Sequence, residues 1–169
     1  VPYSVDITAK IGILAKMKQI DAMDKKILRA LQEDGKLTNA ELAEKISLSQ
    51  TATAERVKRL TRDGYVLGYT AKLSPKMLNR SMLVFVEIKL DRTTPEVFET
   101  FAEATKNNPV VMECHMVAGG FDYLVKARVA DMEQYRRFLA DSLLSLPGVR
   151  ETHTYPVMEE VKETSAIGI

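Results

Sequence analysis

The chain has 169 residues, of which 46% are hydrophobic and 28% charged, an ordinary globular composition with enough apolar material for one medium core or two small ones. Its formal net charge of +1 excludes a diffusely polybasic nucleic-acid binder, so any DNA affinity has to come from local clustering. One cysteine, Cys114, and two histidines exclude a disulfide framework and make a poor metal set, so neither metal nor cofactor is expected and a reducing cytoplasm is the expected location.

No apolar run approaches the ~18 residues of a membrane span, and no membrane partner is expected. Residues 1–20 are mildly apolar through Ile11, Ile13 and Leu14, but Lys10, Lys16 and Lys18 interrupt them. They read as a tail with some helical character, not a signal peptide. The first helix opens at Asp21, where Asp21 and Asp24 have the spacing of a capping box with Asp in place of the usual Glu. Met23, Ile27, Leu28 and Leu31 recur at helical spacing, and Gly35 is the expected stop. Thr38 to Glu41 is a second capping box, with Leu42, Ala43 and Ile46 as the inner face of a short helix. Ser47-Leu48-Ser49 is a tight turn, and Ser49 caps a third helix that runs to Gly64. Three helices with so short a joint between the last two make a helix-turn-helix unit. Tyr65 to Leu73 reads as extended, either a wing or a connector.

From Ser81 the texture changes. Met82 to Leu90 reads as a central strand. Thr94-Pro95 opens a helix whose inner stripe is Val97, Phe98, Phe101, Ala102 and Thr105. Val110 to Val117 and Phe121 to Val129 read as a hairpin turning on Gly119-Gly120, a dipeptide suited to a two-residue turn. Asp131 opens a helix with Met132, Tyr135, Phe138, Leu139, Leu143 and Leu146 inward, closed by Pro147-Gly148. Val149 to Val161 is the last extended segment. The fold class is therefore α+β: a three-helix, winged helix-turn-helix domain, then a ferredoxin-like βαββαβ domain. The expected division is a tail over 1–20, the DNA-binding domain over 21–73, a linker over 74–80, the ferredoxin-like domain over 81–163 and a tail over 164–169. The first strand is apolar on both faces, Leu83 and Phe85 on one and Met82, Val84 and Val86 on the other. With both helices on one face and no other sequence left over, a second subunit is the expected cover.

On a helical wheel, Ala54, Val57 and Leu60 of the third helix fall on one face. Thr51, Glu55, Lys58, Arg59 and Arg62 fall opposite, with Arg56 on the flank. Reading double-stranded DNA requires cations for the phosphates and polar side chains near the helix N-terminus for base edges. Gln50, Thr51 and Thr53 are placed for the second task and Arg59 and Arg62 for the first, and Ser49 and Lys58 complete the expected DNA-binding set. Arg56 suits either, because a guanidinium can bond guanine in bidentate fashion. A plain solvated basic face is the competing reading.

These residues also carry a resemblance. Met23 to Leu28, Leu31 to Gly35, Glu41 to Ala43, Glu55 to Leu60 and Gly64 to Ala71 resemble the leucine-responsive regulatory protein (Lrp/AsnC) family. Leu83 to Ile88, Glu113 to His115, Phe121 to Leu124, Leu146 to Val149 and Thr154-Tyr155 continue the likeness, which covers about Ile20 to Glu163. The resemblance implies a transcriptional regulator of amino-acid metabolism or transport genes, with no enzymatic activity, located in the cytoplasm with the nucleoid. It implies a homodimer paired through the sheets, assembling to an octamer, with a small amino-acid effector, leucine or another, bound between subunits. The implied effector residues are Gly119, Gly120, Phe121, Asp122 and Tyr123 around the hairpin, with Thr152, Thr154 and Tyr155 on the last strand. Amides of a glycine turn suit an α-carboxylate and Asp122 suits an α-ammonium. Two departures stand out: Gly120 where the family often has Asp, and Pro156 where an aliphatic residue is common, which removes a backbone donor.

Other conspicuous residues have structural readings. Cys114 and His115 are adjacent on a strand and point to opposite faces. His115 and His153 are expected to approach across the sheet, as packing partners and not as metal ligands. Glu159-Glu160 reads as a solvated end. A ligand-independent DNA organiser of the same family remains an alternative, and so does an enzyme on the same fold, as in sirohaem decarboxylases.

Overall fold

The computed structural model describes residues 19–92, 94–146 and 148–169. The chain divides into two compact units, one ending at Ala71 and joined by Thr164–Ile169, the other Lys72–Glu163. The expected tail over residues 1–20 lies outside the described residues except for Gln19 and Ile20.

The first unit holds α1 (Ala22–Glu33), α2 (Asn39–Ile46) and α3 (Gln50–Arg62). Each begins where a short polar side chain satisfies the first free amides of the helix. Asp21 accepts from the Asp24 N–H at 2.7 Å while Asp24 accepts from the Asp21 N–H at 3.1 Å. Thr38 and Glu41 repeat the exchange for α2, and Ser49 accepts from the Ala52 N–H at the head of α3. Between α2 and α3, Ser47 takes φ 58°, which turns the chain within two residues. Ile27, Leu28, Ala30, Leu42, Ile46 and Leu60 form the core. Gly64, at φ 81°, ends α3 in the left-handed conformation that favours glycine. Gly35 does not play that part. Asp34 ends α1 in extended geometry, and a Cβ on Gly35 would lie 3.0 Å from the Tyr69 ring, so the glycine makes room for an aromatic side chain. No strand is present from Val66 to Ser81. Thr164–Ile169 runs along α1, where Gln32 exchanges two hydrogen bonds with Ile167 and Arg29 donates to the Ile169 carbonyl at 2.6 Å.

The second unit contains β1 (Met82–Leu90), α4 (Pro95–Lys106), β2 (Val111–Met116), β3 (Tyr123–Val129), α5 (Met132–Phe138) and β4 (Val149–Pro156). The antiparallel sheet has the order β2-β3-β1-β4, the ferredoxin-like arrangement. Val84, Val86, Ile88 and Leu90 alternate onto the helix side and pack with Phe101, Tyr123, Tyr135, Phe138 and Leu143.

Four expectations change here. α5 gives way to a π turn over Leu139–Leu143. In a regular helix Leu143 would lie about 140° from Phe138; the wider turn puts both in the core, at 1% and 4% exposure. Met132, at the head of α5, is half exposed and not inward. The two-residue hairpin is absent. Neither Gly119 nor Gly120 has positive φ, and the Val117 N–H bonds the Asp122 carbonyl at 3.0 Å, which encloses a four-residue loop, Ala118 to Phe121. β4 stops at Pro156, short of Val161, with one further ladder bond to β1 beyond it, from the Val157 N–H to the Leu83 carbonyl.

The helix-free face also differs from expectation. Residues after β4 return over one end of it: the Val157 N–H bonds the Leu83 carbonyl at 2.9 Å, and Arg128, only 8% exposed, bonds Glu160 at 2.6 Å. The chain thus covers part of that face itself. His115 and His153 both face that side but lie on opposite edge strands, about 14 Å apart by strand spacing. Each pairs with its own strand neighbour, Glu113 or Glu151.

Candidate DNA interface and effector site

The exposed side of α3 is a single stripe. Thr51, Glu55, Lys58 and Arg62 are exposed at helical spacing, with Gln50 and Ser49 beside Thr51 at the N-terminus. Arg62 is 66% exposed at its side chain and bonds Asp63 at 2.9 Å. This stripe presents polar groups at the end of the helix suited to base edges and cations further along.

Thr53 is not part of it. Its side chain is 0% exposed, and its hydroxyl donates to the Ser49 carbonyl at 2.9 Å. The wheel put Ala54 inward, but the helix is rotated so that Thr53, Val57 and Leu60 face the core and Ala54 is half-buried. A local bond to the preceding turn satisfies the threonine hydroxyl and makes burial affordable.

Arg56 and Arg59 are also placed differently from the reading on charge alone. Arg59 Nη2 sits 2.6 and 2.5 Å from the two Asp24 oxygens. Arg56 Nη1 bridges Asp24 at 2.8 Å and Asp21 at 2.7 Å. Asp24 is 1% exposed. Two acids of α1 therefore offset two bases of α3. Hydrogen bonds from the Asp24 amide and from Arg56 hold the Asp21 carboxyl below its ordinary range, and the same pairing pushes Arg56 further up. Sequence reasoning missed Asp24 as a tertiary partner, although the signal was there: positions 24, 27, 28 and 31 share one helix face, and an acid among Ile27, Leu28 and Leu31 needs a buried cation.

The effector residues divide into three environments. Gly119, Gly120 and Phe121 lie in the loop, and the space around both glycines is open, with nothing within 4 Å of an added Cβ. Asp122 anchors that loop to the end of β1: its carboxylate accepts from the Leu90 N–H at 2.7 Å and its own N–H bonds the Ile88 carbonyl at 2.9 Å. Tyr123 is core, 4% exposed, with its ring centroid 4.5 Å from Phe101. Thr152 flanks Ile88 on the side opposite Tyr123, and Thr154 shares a short hydrogen bond with the Tyr135 hydroxyl. Tyr155 points the other way, half exposed, its hydroxyl pKa pushed up by desolvation and by Glu87 beside it. Tyr123 and Thr154 are thus engaged inside the fold, for the same reason in each case: alternation along the strand turns them toward the helices. Cys114 is half-buried against the core and burial raises its thiol pKa, whereas His115 is exposed. No cluster of three His, Cys, Asp or Glu able to hold a metal occurs among the described residues.

Residues 83–167 match the Lrp/AsnC ligand binding domain, and residues 20–66 match a winged helix-turn-helix DNA-binding domain. The chain is 51% identical over 152 residues to the leucine-responsive regulatory protein of Escherichia coli (strain K12), spanning 90% of this chain and 93% of that one. The chain belongs to the Lrp/AsnC family. The protein of the same name from Klebsiella pneumoniae matches at the same 51%. Among solved structures, a transcriptional regulator of Neisseria meningitidis in complex with L-Met has a TM-score of 0.85 at 36% identity, over 89% of this chain and 97% of that one. An AsnC family transcriptional regulator from Agrobacterium tumefaciens has a TM-score of 0.84 at 32% identity, over 88% and 97%. This member of the Lrp/AsnC family is accordingly a transcriptional regulator with a DNA-binding domain and an amino-acid-binding domain.

Proposed function

We propose that the chain reads the major groove of double-stranded DNA with the outer stripe of α3. Gln50 and Thr51 take base edges, while Ser49, Lys58 and Arg62 take phosphates. The observation that carries this reading is the exposed, Ser49-capped start of α3 with its stripe of Thr51, Glu55, Lys58 and Arg62. The protein works by binding, without catalysis, in the cytoplasm and with the nucleoid. Subunits pair through the part of the helix-free sheet face around Phe85 that the chain does not cover, and dimers assemble to octamers.

The effector is a free amino acid, held between subunits at the loop Ala118 to Phe121. The amides of Gly119 and Gly120 suit its carboxylate, and the oxygen of Asp122 not used by Leu90 suits its ammonium. We assign Phe121, Thr152 and Tyr155 to the same site. The L-Met found on the Neisseria regulator supports a free amino acid with an apolar side chain as the effector class.

The test is enrichment of binding duplexes from a random pool, followed by gel shift with each free amino acid at millimolar concentration. One enriched motif, bound differently with one amino acid present, is the expected result. A pool that stays random refutes sequence-specific reading. A thermal-shift panel gives the effector independently, because a ligand at ~100 times its dissociation constant stabilises the fold by ~2.7 kcal/mol.

A further inference from the structure

Arg56 and Arg59 stand on the recognition helix, yet their guanidinium groups turn toward α1 and meet two carboxylates. The four groups carry no net charge together. Of the basic side chains on α3, Lys58 alone has no ion pair recorded among the described residues, since Arg62 meets Asp63. Asp24 is the centre of the arrangement: it is buried and contacts both arginines as well as the Asp21 amide. Asp21 is exposed at its side chain; its carboxylate accepts from the Asp24 N–H and, of the two arginines, meets Arg56 alone.

We propose that Asp24 and Asp21 are positioning residues that limit sequence-independent DNA affinity by holding Arg56 and Arg59 away from the phosphates. This rests on the DNA-reading role of α3. The physical case is counterion release. Each cation that neutralises a phosphate adds about 0.9 to the slope of log affinity against log salt, and such contacts are made with any sequence. Two arginines satisfied within the protein add nothing to that slope, so discrimination rests on the base-edge residues at the head of the helix. The Asp24–Arg59 pair, in which Nη2 meets both carboxylate oxygens, also docks α1 onto α3, so that the stripe of Thr51 and Lys58 faces outward.

The experiment measures binding of the full chain to a random-sequence 30-base-pair duplex (roughly three helical turns) across a potassium chloride series. Asp24→Asn releases Arg59 and weakens the hold on Arg56. The slope is expected to steepen by about 0.9, with affinity at 0.1 M salt rising about eightfold. Asp21→Ser keeps a capping oxygen and removes one exposed carboxylate, and a smaller steepening is expected. It serves also as the deciding variant if Asp24→Asn does not fold. Glu99→Gln, on the exposed side of α4, makes the same charge change elsewhere and is expected to leave the slope alone. A folded Asp24→Asn or Asp21→Ser protein with the wild-type slope overturns the proposal, and so does an equal steepening in Glu99→Gln. A purely structural Asp24 would lower affinity without moving the slope. If the wild-type protein binds no duplex at any salt, the DNA reading itself is refuted and the proposal goes with it.

Discussion

Gly148 is the position where a single methyl group should do the most damage to the effector domain. It has φ +87°, and a Cβ built there lies 2.7 Å from Val97 Cγ1 and 3.5 Å from Asp91 Oδ1. Its carbonyl accepts the Asp91 N–H at 2.8 Å, which ties the start of β4 to the end of β1. An L-residue in left-handed geometry costs about 1–2 kcal/mol, and overpacking of this kind costs about 1–3 kcal/mol. Val97 offers little relief, because a β-branched side chain in a helix keeps one χ1 well. Against these costs, alanine stiffens the unfolded chain by about 0.5 kcal/mol. Gly148→Ala should therefore destabilise the protein by about 3 kcal/mol, measured by urea unfolding followed by circular dichroism. Gly120→Ala is the control. It has open space and no positive φ, so its stability should stay within about 0.5 kcal/mol of wild type. A Gly148→Ala protein within 1 kcal/mol of wild type (about a fivefold change in the folded ratio) would refute the steric argument.

Other outcomes follow from the same geometry. Thr38→Ala removes one half of the α2 capping box and should cost about 1 kcal/mol, read as a lower thermal midpoint, with no change expected in effector affinity. Glu160→Gln weakens the partner of a nearly buried arginine and should cost about 2 kcal/mol; a neutral result would mean that the segment after β4 does not hold Arg128 in solution. The carboxyls of Asp21, Glu41 and Glu113 are held below their ordinary range, by the Asp24 amide, the Thr38 amide and Lys126 in turn. The unfolded chain therefore binds protons more readily than the folded one. The stability these groups contribute is fully present above the ordinary carboxylate range and is lost as pH falls through their lowered folded values. The thermal midpoint should fall as pH drops from 5 toward 3, and Glu41→Gln should flatten part of that decline; an unchanged midpoint over this range would contradict the assignment.

Much of this protein was legible in local pattern. The capping spacings Asp21/Asp24 and Thr38/Glu41, the Ser49 cap and the order of strands and helices all act within a few residues, and a linear sequence displays such short-range chemistry directly. The division of the candidate sites was not legible. Thr53 and Thr51 are two positions apart on one helix, yet one is sealed in the core and the other faces solvent, because the rotation of α3 is set by packing on Ile27 and Leu42. The partners of Arg56 and Arg59 lie more than thirty positions away in the chain. Tyr135 meets Thr154 across 19 positions, and Glu160 meets Arg128 across 32. Composition, helix caps and strand alternation are decided by neighbours in sequence. Which charge is neutralised and which hydroxyl is spent inside the fold is decided by neighbours in space, because most polar groups that burial cuts off from water take an ion-pair or hydrogen-bond partner lying beside them.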